Sequence, residues 1–161
     1  MNNTSNTNPK ALKGLVASSV LYIVVILMGA VVAIVENRPA AAWSISPLPV
    51  WQAFLWGSGT AMSPPLYWLI AQAILTAFAP RRDRWGAASI VGLIVIGLLF
   101  GVFGALEPIV LEIFNPKTFD LFKASIVGGG VILAFLMAVF GILELVRRRR
   151  CSKLALAPAG C

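Results

Sequence analysis

The sequence contains no histidine and only two cysteines, Cys151 and Cys161. Zinc and haem sites are built mainly from these two residue types, so no usual ligand set for either group is present. Both cysteines follow the last apolar segment, on the side that we assign to the cytoplasm, where thiols stay reduced and a structural disulfide is not expected. A glycine-rich loop in a strand–helix setting, which would hold a nucleotide, is also missing. We therefore expect no cofactor, no bound metal and no catalytic activity.

Charged residues are scarce as well. They make up 12% of the chain, against about 25% in an average soluble domain, while 59% of the residues are hydrophobic. The apolar residues form long segments almost free of charge. Three of these segments have the roughly 20 residues that a helix needs to cross the hydrocarbon core of a bilayer. They are residues 14–35, 85–106 and 124–146. The composition therefore predicts a membrane protein.

A fourth segment, residues 39–80, carries no charge but is too long for one membrane helix. The sequence Ser63-Pro64-Pro65 divides it, because serine is a common N-cap and proline suits the first turn of a helix. We predict a span at residues 63–79, which makes four transmembrane helices in an antiparallel bundle. Residues 49–56 are predicted to form a short helix at the outer membrane interface. A half-helix that re-enters the membrane is the alternative.

Basic residues lie in three groups that four spans place on one side of the membrane. The groups are Lys10 and Lys13 before the first span, Arg81, Arg82 and Arg84 between the second and third, and Arg147, Arg148, Arg149 and Arg150 after the fourth. Because lysine and arginine stay on the cytoplasmic side, we assign both termini to the cytoplasm and residues 147–161 to a basic tail. Anchoring at lipid headgroups explains the arginines, and a specific site for anionic lipids is the alternative. Topology thus accounts for the net charge of +7, and we expect no nucleic-acid binding.

Small residues repeat at helical spacing in the last two predicted spans. They are Gly97, Gly101 and Gly104 in the third span, and Gly130, Ala134 and Ala138 in the fourth. Helices in lipid associate through such residues, so we interpret both sets as helix-packing surfaces. A flexible or gating helix at the glycine run 128–130 is the alternative.

Polar residues within the spans are few, and each is by default a candidate functional site. No acid or base falls at mid-membrane. Tyr22 and Gln72 lie at similar depth on helices of opposite direction, and Gln72 shares a helical face with Thr76. We predict that Tyr22 and Gln72 face the bundle interior and hydrogen-bond each other as structural groups. Alternatively, these two residues and Thr76 line a path for a substrate.

The second outer loop carries three carboxylates, Glu107, Glu112 and Asp120. We interpret them as solvated charges, because their spacing matches no recognised set of metal ligands. The alternative is a cation site or an acid–base pair of an enzyme.

The fold class that follows is an all-α integral membrane protein with four spans and short interfacial helices in its outer loops. Apolar helices with packing faces and no central charge favour a non-catalytic accessory or scaffold subunit of a membrane complex. The alternative is a small oligomeric transporter or channel for a neutral or hydrophobic substrate. The expected partners are the lipid bilayer and other membrane subunits or further copies of the chain. The expected location is a bacterial inner (plasma) membrane.

Overall fold

The structure, a computed structural model, describes residues 10–38, 48–107, 110, 115, 117 and 119–156, with side chains as far as Cys151. These residues form five helices and no strand. The helices are α1 (Lys10–Val35), α2 (Val50–Trp56), α3 (Leu66–Phe78), α4 (Arg84–Leu106) and α5 (Leu121–Leu156). Three of them, α1, α4 and α5, are long and apolar enough to cross a membrane. The prediction of a helical chain with segments of membrane-spanning length is therefore confirmed.

The long helices pack around a shared interior. α5 lies against α1 and α4, and α3 contacts the same two helices. The short α2 packs on α1 and α3 through its buried residues Val50, Ala53 and Phe54. Two buried clusters fill the interior: one contains Leu15, Ile90 and Met137, and the other contains Tyr22, Leu69 and Ala134.

The two ends of the helices differ in charge. The start of α1, the turn between α3 and α4, and the last part of α5 meet at one end, where a methyl group built on Gly14 would lie 2.8 Å from the Phe140 ring. We call this the basic end, because it holds all three predicted basic groups. At the opposite end, Lys123 of α5 forms a 2.7 Å ion pair with Glu36, which follows α1. α1 and α4 therefore run from the basic end to the opposite end, and α5 runs in the other direction.

Aspartate side chains cap the two helices that follow loops. Asp83 Oδ1 accepts a 3.0 Å hydrogen bond from the Gly86 N–H at the start of α4. Asp120 Oδ1 accepts from the N–H groups of Phe122 and Lys123 at the start of α5, at 2.9 and 3.2 Å. Such caps satisfy N–H groups that have no partner in the first helical turn.

The helix of the second predicted span begins later than expected. The Ser63 hydroxyl donates to the Pro64 carbonyl instead of capping a helix, and α3 begins at Leu66. Ser63 and Pro64 each precede a proline, which disfavours helical backbone at both positions. The resulting α3 has 13 residues. It is about 20 Å long, which is short of the roughly 30 Å of a hydrocarbon core.

The last helix is longer than the predicted span at residues 124–146. α5 continues through Leu156, so the four arginines lie on a helix and not in a separate tail. Arginine is a good helix former, and Glu144 pairs with arginines three and four residues later, which supports the extra turns. Residues 157–161 of the predicted tail, including Cys161, lie outside the described residues.

The short helix predicted before the second span is present as α2. It begins at Val50, one residue later than expected, and Gly57 ends it. Trp56 at its end is 82% exposed. The next residues turn sharply, with Gly59 at a φ of +93° and a backbone bridge between Thr60 and Ser63. A side chain at Gly59 would collide with the Ser63 carbonyl, so this turn requires glycine.

Candidate functional site

The predicted glycine face of α4 lies against α5. A methyl group built on Gly97 would sit 2.6 Å from the Ala134 carbonyl oxygen and 3.1 Å from the Ala138 nitrogen. At Gly101 the nearest atoms belong to the Phe135 ring, at 3.1 Å. The small residues thus let the two backbones approach closely, as helices in lipid require for packing.

The remaining small residues have different neighbours. A methyl group on Gly104 would lie 3.3 Å from Val131 of α5. Gly130 belongs to another interface, because its nearest neighbour is Ile26 of α1, at 3.1 Å. Gly128 and Gly129 have no other described atom within 4 Å of their built methyl groups. Of the three glycines at 128–130, Gly130 therefore packs against another helix, whereas Gly128 and Gly129 contact no described atom there.

The interior polar residues form a ring of hydrogen bonds near the basic end. The Thr76 hydroxyl donates to the Gln72 carbonyl at 2.7 Å, and the Ser19 and Thr76 hydroxyl oxygens are 2.7 Å apart. A hydroxyl has one proton, so Thr76 accepts from Ser19. Ser19 in turn accepts from Gln72 Nε2 at 3.0 Å. Each hydroxyl therefore donates once and accepts once, and all three residues are buried.

Gln72 is held by Ser19 and not by Tyr22. Its Nε2 also lies 3.4 Å from the Ser19 carbonyl and 3.5 Å from Met137 Sδ, while no hydrogen bond joins the described residues Tyr22 and Gln72. Tyr22 is buried as expected, but its ring stacks on Phe100, with centroids 6.3 Å apart. Gln72 Oε1 is buried and has no partner among the described residues. Ser19, one turn before Tyr22, is the partner that sequence reasoning missed.

A cavity of about 430 Å³ extends from the opposite end toward the middle of the molecule. Helices α1, α4 and α5, the first turn of α3 and the residues before it line this cavity. The aromatic residues in its wall are Tyr22, Tyr67, Trp68, Phe100 and Phe103. Aliphatic side chains such as Ile26 and Val131 fill much of the rest, and hydroxyl groups come from Ser58, Thr60 and Ser63. This size and this mixture of apolar walls with a few polar groups are typical of small-molecule sites.

Glu107 is the carboxyl group in this wall. It directly follows α4, and its Oε2 is buried without a hydrogen-bond partner among the described residues. Burial raises the pKa of its carboxyl group above the usual value. Sequence reasoning treated Glu107 as a solvated charge together with Glu112, which lies outside the described residues, and Asp120, which caps α5. The spacing of Phe100, Gly104 and Glu107 (i, i+4, i+7) places all three on one helical face and was the available signal.

Three charged side chains of α5, those of Glu144, Arg147 and Arg148, form a cluster at the basic end that we call the Arg148 clamp. Glu144 is fully buried and accepts hydrogen bonds from Arg147 at 2.7 and 2.8 Å and from Arg148 at 2.9 Å. Arg148 also donates to the carbonyls of Ala79 and Arg81, at 2.9 and 2.8 Å. These carbonyls lie at and just after the end of α3, where helical carbonyls lack partners. Arg148 therefore has a structural contact that simple topological anchoring did not predict.

The other predicted basic residues lie nearer the surface. Arg81 pairs with Asp83 at 3.0 Å. The Gly86 N–H, helped by Arg81, lowers the pKa of the Asp83 carboxyl despite some desolvation. Arg84 lies over the Trp85 ring, 5.8 Å from its centroid. All five of these arginines are exposed, namely Arg81, Arg82, Arg84, Arg149 and Arg150. Their placement suits contact with lipid headgroups.

The site therefore consists of a cavity at one end of the helices and a hydrogen-bonded interior at the other. Among the described residues, no group of three or more acidic or cysteine side chains is arranged to hold a metal ion. Comparison of the chain with protein families, with curated proteins and with solved structures finds no match. Its function must be argued from the geometry of the cavity itself.

Proposed function

We propose that the protein is a non-catalytic membrane protein with four spans that binds a largely apolar small molecule in its cavity. The cavity of about 430 Å³, with its aromatic and aliphatic wall, is the observation that carries this proposal. The cavity is why we favour a binding role over the accessory-subunit function that the sequence suggested first.

The four-span topology has support from the contacts of α3. Its residues Leu69, Gln72 and Thr76 are buried against the long helices. The Arg148 clamp holds its end beside the basic part of α5. With α3 as the second crossing, all three basic groups fall on one side, which the positive-inside rule assigns to the cytoplasm. The cavity then lies toward the outer side. Local thinning of the bilayer or the extended residues before α3 would compensate for its short length.

The chemistry of the wall indicates the kind of ligand. Aromatic side chains offer large apolar contact areas, and the hydroxyl groups of Ser58 and Thr60 orient a polar part of a ligand. In an oligomer the same site would serve transport of the bound molecule, which is the transporter alternative of the sequence. The assignment to a bacterial inner membrane remains a prediction, which fractionation of the source cells tests.

Native mass spectrometry of gently purified protein tests the proposal. We expect the wild type to retain a bound small molecule or lipid. Val131→Phe places a ring in the cavity wall and should release it, whereas Val139→Phe on the same helix, at a 50% exposed position, should retain it. Equal retention by both variants would show that the molecule binds elsewhere.

An accessory subunit is the second candidate function. Gly128 and Gly129 of α5 have open space around their built methyl groups, and such a surface suits close packing of a helix from another membrane protein. A foreign protein present in fixed stoichiometry in the same native spectra would favour this candidate. Its loss on Gly129→Leu, with retention on Val139→Leu, would assign the contact.

A further inference from the structure

We infer that the cavity ligand carries a cationic ammonium group that pairs with the carboxylate of Glu107, while its apolar part lies against the aromatic wall. This inference rests on the proposed function and names the chemical class of its ligand. Glu107 lines the cavity. A purely apolar ligand would leave this carboxyl group without a partner, a neutral donor would give it a weaker hydrogen bond than a cation, and an anionic ligand would be repelled by it.

Glu107 has no counter-ion among the described residues. A buried polar oxygen without a hydrogen bond costs free energy, and Glu107 Oε2 is such an atom. Two described cations at this end pair with other acids: Arg38 with Glu36 at 2.9 Å, and Lys123 with Glu36 and Asp120. Lys117, the third, is exposed. Within the described part of the chain, no ion pair reaches Glu107. A ligand is therefore well placed to supply the positive charge.

Aromatic side chains line the same cavity. Phe100 stacks on Tyr22, and Trp68 meets Phe100 edge-on, with ring centroids 5.9 Å apart. Tyr67 and Phe103 add two more rings to the wall. Aromatic faces attract cations through their quadrupole, and sites for ammonium ligands commonly combine such rings with a carboxylate. The cavity wall thus suits both the ammonium group and the apolar part of a hydrophobic amine.

The raised pKa of Glu107 gives the pairing a pH dependence. Burial favours the neutral carboxyl group, whereas a bound cation favours the carboxylate. Affinity for an amine should therefore fall as the pH drops through the pKa of Glu107, beginning at a higher pH than for an exposed glutamate. The charged groups at this end of α1 and α5 are Glu36, Arg38, Asp120 and Lys123, which pair with one another.

Calorimetry in lipid nanodiscs with a matched pair of probes tests the inference. Naphthylmethylamine and naphthylmethanol have the same shape, but only the amine is charged at neutral pH. Heats from empty nanodiscs are subtracted. We expect the wild type to bind the amine about tenfold more tightly than the alcohol, equivalent to about 1.4 kcal/mol. Glu107→Gln should remove this preference without weakening the alcohol, and Glu107→Asp should keep part of it. Glu36→Gln, at the same end but outside the cavity wall, should leave it unchanged.

The outcomes separate the two proposals. If amine and alcohol bind equally to the wild type, and Val131→Phe weakens both, the cation inference is overturned while the cavity keeps its binding role. If the amine preference survives in Glu107→Gln, another group recognises the cation and the inference is overturned as well. If neither probe binds the wild type, both the inference and the proposed function are contradicted. Retained alcohol binding by Glu107→Gln shows that this variant is folded.

Discussion

The two ends of the molecule differ in how their buried carboxyl groups are paired. At the basic end, Glu144 is fully buried and bonded to two arginines, and nearby Ser19 and Thr76 each donate and accept once. At the opposite end, Glu107 is partly buried beside a cavity and has an oxygen without a partner among the described residues. Buried polar groups that are satisfied stabilise one arrangement of helices, whereas an unsatisfied one is a common sign of a ligand site. The paired Glu144 therefore stabilises the first end, and the unpaired Glu107 oxygen supports the binding proposed for the second. Gln72 Oε1 is also without a partner among the described residues, but it lies outside the cavity wall.

Removing the charge of Glu144, at the basic end, should cause the largest loss of stability. Glu144→Gln leaves Arg147 and Arg148 without their carboxylate, and breaking a buried ion pair costs about 3 kcal/mol or more. We expect a larger loss of thermal stability than from any substitution in the α4–α5 contact or the hydrogen-bonded ring. Unfolding by heat or denaturant in nanodiscs measures it. Glu36→Gln is the control, because its carboxylate also has two partners, Arg38 and Lys123, but is itself partly exposed, and the expected loss is about 1 kcal/mol or less. Equal losses for the two variants would refute the special role of the clamp.

The α4–α5 contact should be the next most sensitive feature. Gly97→Ala introduces a methyl group 2.6 Å from the Ala134 carbonyl oxygen, so the helices must separate, at a cost of about 2 kcal/mol. Gly128→Ala is the matched control, since its methyl group meets no described atom and alanine favours a helix by about 1 kcal/mol. Opposite changes in melting temperature are expected. A destabilised Gly128→Ala would indicate a hidden contact at that position.

The hydrogen-bonded ring should contribute less. Gln72→Leu removes the donor to Ser19 and is expected to cost about 1 kcal/mol, as is usual for a hydrogen bond between membrane helices. Tyr22→Phe should change stability very little, because Tyr22 does not bond Gln72. A double-mutant cycle of Gln72→Leu with Ser19→Ala isolates the coupling, whereas the cycle with Tyr22→Phe should give none. Coupling in the second cycle would support the hydrogen bond expected from the sequence.

Much of the fold follows from local features of the sequence, because a long apolar segment is helical in lipid wherever it occurs. The extent of α3 was harder to predict, since two consecutive prolines displaced its start from Ser63 to Leu66. The site was harder still. Glu107 and Glu144 are both glutamates near the end of an apolar segment, and their sequence neighbours do not state which one enters a cavity. The two arginines of Glu144 lie three and four residues later on the same helix, so this pairing could have been predicted from the sequence. The tertiary arrangement is what places Glu107 in the cavity wall with an oxygen that has no partner among the described residues.

The smallest expected effect concerns Glu107, and here removing the charge should increase stability instead of lowering it. Its pKa is raised by burial, so the folded protein holds the proton at a pH where the unfolded chain has lost it. Stability should therefore fall as the pH rises from the ordinary glutamate pKa through the raised value of the folded state. Glu107→Gln cannot ionise, so it should abolish this decline and be slightly more stable than the wild type at neutral pH. Melting temperatures across that range measure the difference, with Glu36→Gln as control. Parallel curves for the wild type and Glu107→Gln would mean that the carboxyl group is solvated when the cavity is empty, and the contrast between the two ends would then rest on Glu144 alone.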